Sequence, residues 1–222
     1  MNTVFAYCVG IVEMNRYYYT THCVNYLYSG YQIMKPKLYK IIFLFAFVLF
    51  LSCSSVYGAV IEGVNFDNSV IINEKKATLR GTALLRYMIF IKAYVTAFYL
   101  HENFSKKDAL GNVERRIVIH YFHAISADDF AEATTEMIEK NVSPDRFSVL
   151  QPQIRQLNDF YKDVEPGDEY TATYIPGIGT EMALNGKALG VVPGEEYSAA
   201  FFSIWIGKNP VDKGFRNQLL GK

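Results

Sequence analysis

The sequence predicts an α+β protein built mainly on antiparallel strands. Three observations carry that reading. Residues 60–123 hold runs of β-branched and aromatic residues with few breakers. The middle of the chain switches to helical spacing. Asn185-Gly186, the strongest short hairpin signal, then stands between two further strand-like runs. Strands, helices, a hairpin and closing helices in that order favour an antiparallel sheet over a parallel one.

The elements follow in turn. Val70-Ile71-Ile72 leads through the polar turn Glu74-Lys75-Lys76 into the runs LLRYMIFI and AYVTAFYL, with a bend near 88–90. Lys106 to Asn112 is a polar connection, and Ile117 to Phe122 is the next strand. Ser126 before Ala127-Asp128-Asp129 is a capping arrangement, with Phe130, Met137, Ile138 and Val142 spaced along a helix that Pro144 ends. Val149, Ile154, Leu157, Phe160 and Tyr161 mark a second helix with Pro152 near its start. Tyr170 to Ile175 and Ala188 to Val192 alternate as strands, with Pro176-Gly177 and Asn185-Gly186 as turns. Glu195 to Ile206 is a helix with Phe201, Phe202, Trp205 and Ile206 inward, and Phe215 to Leu220 is a last short one.

The front of the chain reads differently. Residues 41–51, IIFLFAFVLFL, follow Lys35, Lys37 and Lys40 and precede a small-residue exit at Val56-Tyr57-Gly58-Ala59. That is the plan of a secretory signal peptide, and eleven apolar residues fall short of the roughly 20 needed to span a bilayer. Residues 1–33 show no period of a packed element, and Met34 opens a good basic segment, so translation is expected to start at Met34. The expected organisation is a leader at 1–33, a signal peptide at 34–58 and one domain at 59–222. Export, periplasmic or secreted, follows. An uncleaved anchor and a lipidated Cys53 are the alternatives. All three cysteines lie before residue 59, so the mature domain needs no disulfide.

Composition excludes some functions. Lys+Arg and Asp+Glu are 22 each, and the part after Gly58 carries 18 basic against 21 acidic residues. Such a chain has no global attraction for nucleic acid. His120 and His123 are oddly spaced for one strand face and have no cysteine near them, so no metal and no cofactor are expected. Gly177-Ile178-Gly179 precedes a hairpin instead of a helix, against a nucleotide loop. No Gly-x-Ser-x-Gly elbow is present. Arg86 stands out as a cation in an apolar strand pair, with Tyr94 placed by the bend to share its face. Guanidinium and phenol together suit a carboxylate or phenolate, and a salt bridge or edge position is the competing reading.

These residues carry a resemblance. LLRYMIFIKAYVTAFYLHE, FYKDVEPGDEYTATYIPGIGTEMALNGKALG and FFSIWIGKNPVDKGFRNQLLGK, in that order, resemble the hairpin, the central part and the ending of the short secreted bacterial members of the chalcone isomerase-like superfamily. The resemblance covers residues 60–222. It implies an open-faced β-sandwich, a large antiparallel sheet with helices packed on one face and a cleft between. In such plant enzymes the cleft closes a chalcone to a flavanone, while other members hold a fatty acid whose carboxylate meets an arginine and a tyrosine. Arg86 matches the arginine, with Arg80 the alternative. Tyr94 falls at the plant threonine and is the fatty-acid binders' choice. Phe130, Met137 and Ile204 replace polar catalytic positions. The resemblance therefore implies a non-catalytic binder of a fatty acid or similar amphipathic carboxylate, with Arg86, Tyr94, Phe130, Met137 and Trp205 as ligand-binding residues. An intramolecular lyase of the chalcone-flavanone type and an envelope interaction protein with a vestigial cleft are the alternatives. Membrane contact is expected only through the signal segment.

Overall fold

The computed structural model describes residues 58–88 and 90–222. The expected leader at 1–33 and the signal segment at 34–58, save Gly58, lie outside the described residues. From Gly58 onward the chain belongs to one compact unit.

Strands β1 (Ala59–Ile61) and β2 (Val64–Phe66) form a separate small hairpin. Strands β3 (Ser69–Ile72), β4 (Lys75–Tyr87), β5 (Ile91–His101), β6 (Arg115–Tyr121), β7 (Glu169–Ile175), β8 (Gly179–Leu184) and β9 (Lys187–Val192) make one sheet in sequential order, every neighbour antiparallel. Helices α1 (Ala127–Asn141) and α2 (Pro144–Asn158) interrupt the meander, and α3 (Glu195–Ile206) and α4 (Lys213–Leu219) close it. This is the α+β class expected, a large antiparallel sheet with its helices on one face.

The sheet is apolar on both faces where β4, β5 and β6 lie. Phe98, Leu100, Ile117 and Ile119 pack under the helices. Val95, Ala97 and Tyr99 point the other way, into a second cluster with Phe66, Ile61 and Val64 of the small hairpin. The strict two-residue repeat of a strand enforces this division. The β1–β2 hairpin covers an apolar patch that would otherwise face water.

Local chemistry sets the element ends. Ser126 caps α1 by accepting from the Asp129 amide at 3.1 Å, and the Asp129 carboxylate accepts in return from the Ser126 hydroxyl at 2.6 Å. Asn185 and Gly186 both adopt positive φ, the requirement of the tight β8–β9 turn. Gly81 lets α4 dock, since a side chain there would run into the carbonyl of Gln218.

Two expectations need correction. The second helix starts at Pro144, with Ser143 as its cap, so Pro152 lies inside it. An interior proline forfeits one ladder bond, and burial of Leu150, Ile154 and Leu157 along the same face holds the helix regardless. Helix α3 is not one-sided either. Tyr197, Ser198 and every residue from Ala200 to Ile206 are buried, because α3 lies between the sheet and the outer helices α1 and α2.

Where α3 crosses the sheet, the fold buries a charge. Arg115 of β6 is fully buried, its guanidinium carbon 4.4 Å from the Tyr174 ring centre and 4.8 Å from that of Phe202. It donates to the Gly111 carbonyl and to the Ser198 hydroxyl, and desolvation pulls its pKa down to about 10. The two aromatic faces and two oxygens join sheet, loop and helix in one contact. Arg115→Ala should lower unfolding free energy by about 3 kcal/mol in denaturant titration. Arg115→Met keeps a stem between the rings and removes the desolvated charge, so it should cost less. Equal losses in the two variants would contradict the ring-clamp reading.

Candidate functional site

An apolar cavity of about 370 Å³ lies between the sheet and helices α1 and α3. It starts where Leu85 of β4 pairs with Tyr94 of β5, and Tyr94 in turn pairs with Tyr121 of β6. It continues past Ile119 and Tyr170 to Ala172 and Met182, which face each other on β7 and β8. Three strand spacings, about 14 Å, separate β5 from β8. Phe130 and Met137 line it from α1, and Ile204 and Trp205 from α3. Tyr87 and Val211, both exposed, sit at its open end.

The polar atoms of this wall are phenols. The Tyr94 hydroxyl accepts from the Trp205 indole at 3.3 Å, which leaves its own proton free to donate. Tyr161 and Thr134 share a hydrogen bond at 2.7 Å, and the Tyr170 hydroxyl donates to the Lys162 carbonyl at 3.0 Å. The Tyr121 hydroxyl has no hydrogen-bond partner among the described residues. Edge-on ring contacts fix these side chains: Tyr94 to Tyr121 at 5.6 Å and Tyr121 to Phe130 at 5.3 Å. Desolvation pushes the Tyr94, Tyr121 and Tyr161 hydroxyls well above the ordinary phenol value, so they remain neutral donors at physiological pH.

Tyr94, Phe130, Met137 and Trp205 all line the cavity, as does Ile204. Arg86 does not. The expectation that Arg86 and Tyr94 share a face fails at a bulge. Leu85 pairs with Tyr94 but Arg86 pairs with Lys92, so Ala93 is the extra residue on β5. Tyr94 therefore follows the face of Leu85, while Arg86 and Lys92 turn to Glu62 of the small hairpin, at 3.5 and 2.6 Å. Arg80 is the extra residue of a second bulge, and its guanidinium donates to the carbonyls of His101, Glu102 and Phe104. Asp129 is the charged side chain of the lining, and its carboxylate is engaged in the α1 cap. Among the described residues no group of three His, Cys, Asp or Glu side chains is placed to hold a metal ion.

The model of the chalcone isomerase-like family matches residues 58–221, all but the last residue of the described domain. The chain belongs to the chalcone isomerase-like family. Among solved structures it is similar to a fatty-acid binding protein of Arabidopsis thaliana, with 16% identity, a TM-score of 0.58, and coverage of 72% of this chain and 95% of that one. No curated protein matches the sequence. In this chalcone isomerase-like domain the cleft between sheet and α1 is open, and its wall is aromatic and aliphatic along most of its length.

Sequence reasoning missed Tyr121, Tyr161 and Tyr170. Each falls at an inward position of a strand or helix end, where a tyrosine reads as ordinary core. Their convergence on Phe130 is a property of the sheet's pairing and carries no local signal.

The phenols give a pH test. Their folded-state pKa values are raised, so they add stability below the unfolded value of about 10, and that stability is lost as pH rises further. Phenolate absorbance of Tyr94, Tyr121 and Tyr161 should appear only together with unfolding, at pH above 10. Ionisation of these three tyrosines in a still-folded domain near pH 10 would contradict their desolvation.

Proposed function

We propose that this protein is an exported, non-catalytic member of its family that binds a fatty acid or similar amphipathic carboxylate. The observation that carries the reading is the cavity itself: an apolar slot with neutral phenol donors gathered at one end. Its volume falls within the range of small-ligand pockets. The acyl chain lies along Phe130, Met137, Ile204 and Met182, and the head group meets the hydroxyls of Tyr94 and Tyr121. A carboxylate accepting from two phenols gains charge-assisted hydrogen bonds. The Arabidopsis likeness supports a fatty acid as the ligand class.

Chemistry of the isomerase type finds little support. Phe130, Met137 and Ile204 stand where the resemblance implies polar groups, and all three face the cavity. Export is supported by the apolar run at 41–51, and by β1 beginning at Ala59, the residue after the expected cut.

Native mass spectrometry of the purified domain, followed by solvent extraction, should release a long-chain carboxylic acid. Recovery of no ligand, together with no binding of added fatty acid, would contradict the reading. Tyr94→Phe removes one hydrogen bond to a charged group and should weaken fatty-acid binding about 10–100-fold. Arg86→Ala should change it by less than about twofold, since that side chain lies outside the cavity. The reverse ordering would return the carboxylate to Arg86. N-terminal sequencing of exported protein should begin at Ala59; a mature product starting at a lipidated Cys53 would overturn the processing scheme.

A further inference from the structure

The tip of the β4–β5 hairpin is apolar and open to solvent. Phe90 is 86% exposed, Met88 70%, Tyr87 62% and Ile91 42%. Of the eleven exposed large hydrophobics among the described residues, these four fall within five positions, while the others stand apart along the chain. Isolated exposed apolar side chains are ordinary, but a cluster of aromatic and aliphatic groups on one projecting turn marks an interaction surface.

Two further features say what that surface meets. The tip is continuous with the cavity, because Tyr87 belongs to both and Leu85, two residues earlier, lines the cavity wall. It is also flanked by cations. Arg86 and Lys92 stand on either side of the apolar turn, and the one carboxylate between them, Glu62, neutralises only half of their charge. His123 adjoins Phe90, Ile91 and Lys92 in a shallow hollow beside them. An aromatic and aliphatic tip with two cations beside it on one face matches the boundary between acyl chains and anionic head groups. The domain as a whole carries 18 basic against 21 acidic residues after Gly58, so overall charge does not draw it to an anionic bilayer, and the local cations at this tip supply the attraction.

We propose that the β4–β5 hairpin tip docks on a lipid bilayer, with Phe90 and Met88 inserted among the acyl chains and Arg86 and Lys92 at the head groups. The cavity mouth is then held at the membrane surface, and an acyl chain passes between bilayer and cavity without crossing water. Docking stands on the hairpin alone; the passage of ligand rests on the fatty-acid reading above.

The test uses the domain 59–222, which closes its own core, and vesicles of phosphatidylcholine with and without phosphatidylglycerol. The wild type should sediment with vesicles, more strongly when phosphatidylglycerol is present. Phe90→Ser should lower partition about tenfold or more, as loss of one inserted aromatic side chain implies. Phe90→Trp should retain it, and Val149→Ser, at a lone exposed aliphatic on α2, should leave it unchanged. Transfer of a fluorescent fatty acid from vesicles to the domain should slow in Phe90→Ser, with equilibrium affinity intact. Partition of Phe90→Ser equal to wild type, or no wild-type partition, overturns the proposal. So does a dimer, seen by analytical ultracentrifugation, that Phe90→Ser dissolves while vesicle binding is absent, since the tip would then meet a second copy. Absence of any fatty-acid binding would sink the cavity reading and leave docking to be decided by sedimentation alone.

Discussion

The alternation of β4 and β5 is the constraint on which the rest depends. These two strands carry apolar side chains on both faces, so each residue is committed to the helix side or to the small hairpin's side. Leu84 joins the cluster under the β1–β2 hairpin, and Leu85 joins the cavity wall. One extra residue, Ala93, then decides which side chain stands opposite which. Because of it, Tyr94 shares the face of Leu85 and enters the cavity, while Arg86, next to Leu85 on β4, takes the opposite face. Without it, the pairing of Arg86 with Lys92 would set Tyr94 opposite Leu84, on the face under the small hairpin.

The cavity persists beside a dense core because its walls are rigid. Phe201 and Trp205 meet edge to face at 5.2 Å, and Phe130 stacks on Tyr161 at 5.3 Å. Rings locked in this way do not collapse into adjoining space as aliphatic side chains do. Arg115 serves the same purpose from the other end of β6, where it holds α3 to the sheet through Phe202 and Ser198. The open space is thus maintained by contacts among its lining rings and by the Arg115 clamp beside them. An acyl chain along an apolar cavity of this size makes dispersion contacts with its lining.

Much of the fold was legible in the sequence, for local reasons. Ser126 and its following acids mark the start of α1, Asn185-Gly186 marks the last hairpin, and Gly207 and Pro210 bound α3. What stayed hidden is set by tertiary pairing. Pro152 reads as a helix start, yet it lies within α2, because buried Leu150, Ile154 and Leu157 outweigh one missing bond. Arg86 reads as a cation sharing a face with Tyr94, with a salt bridge as the competing reading; it is half exposed and paired with Glu62, because a bulge cannot be seen in a run of strand formers. Of the residues expected at the site, Tyr94, Phe130, Met137 and Trp205 line the cavity. The tyrosines that complete it were not foreseen, since an inward tyrosine reveals neither the direction of its hydroxyl nor its partners.

The central claim is that an acyl chain occupies the slot with its tail toward β7 and β8 and its head at Tyr94 and Tyr121. A crystal structure of the domain with a fatty acid brominated at its terminal carbon tests this most directly, because anomalous scattering locates the bromine without bias. The account predicts a bromine peak within the cavity near Ala172, Met182 and Phe201, and carboxylate density at the Tyr94 and Tyr121 hydroxyls. Bromine at the mouth beside Tyr87, or on the Glu62 face of the sheet beside Arg86, would contradict it.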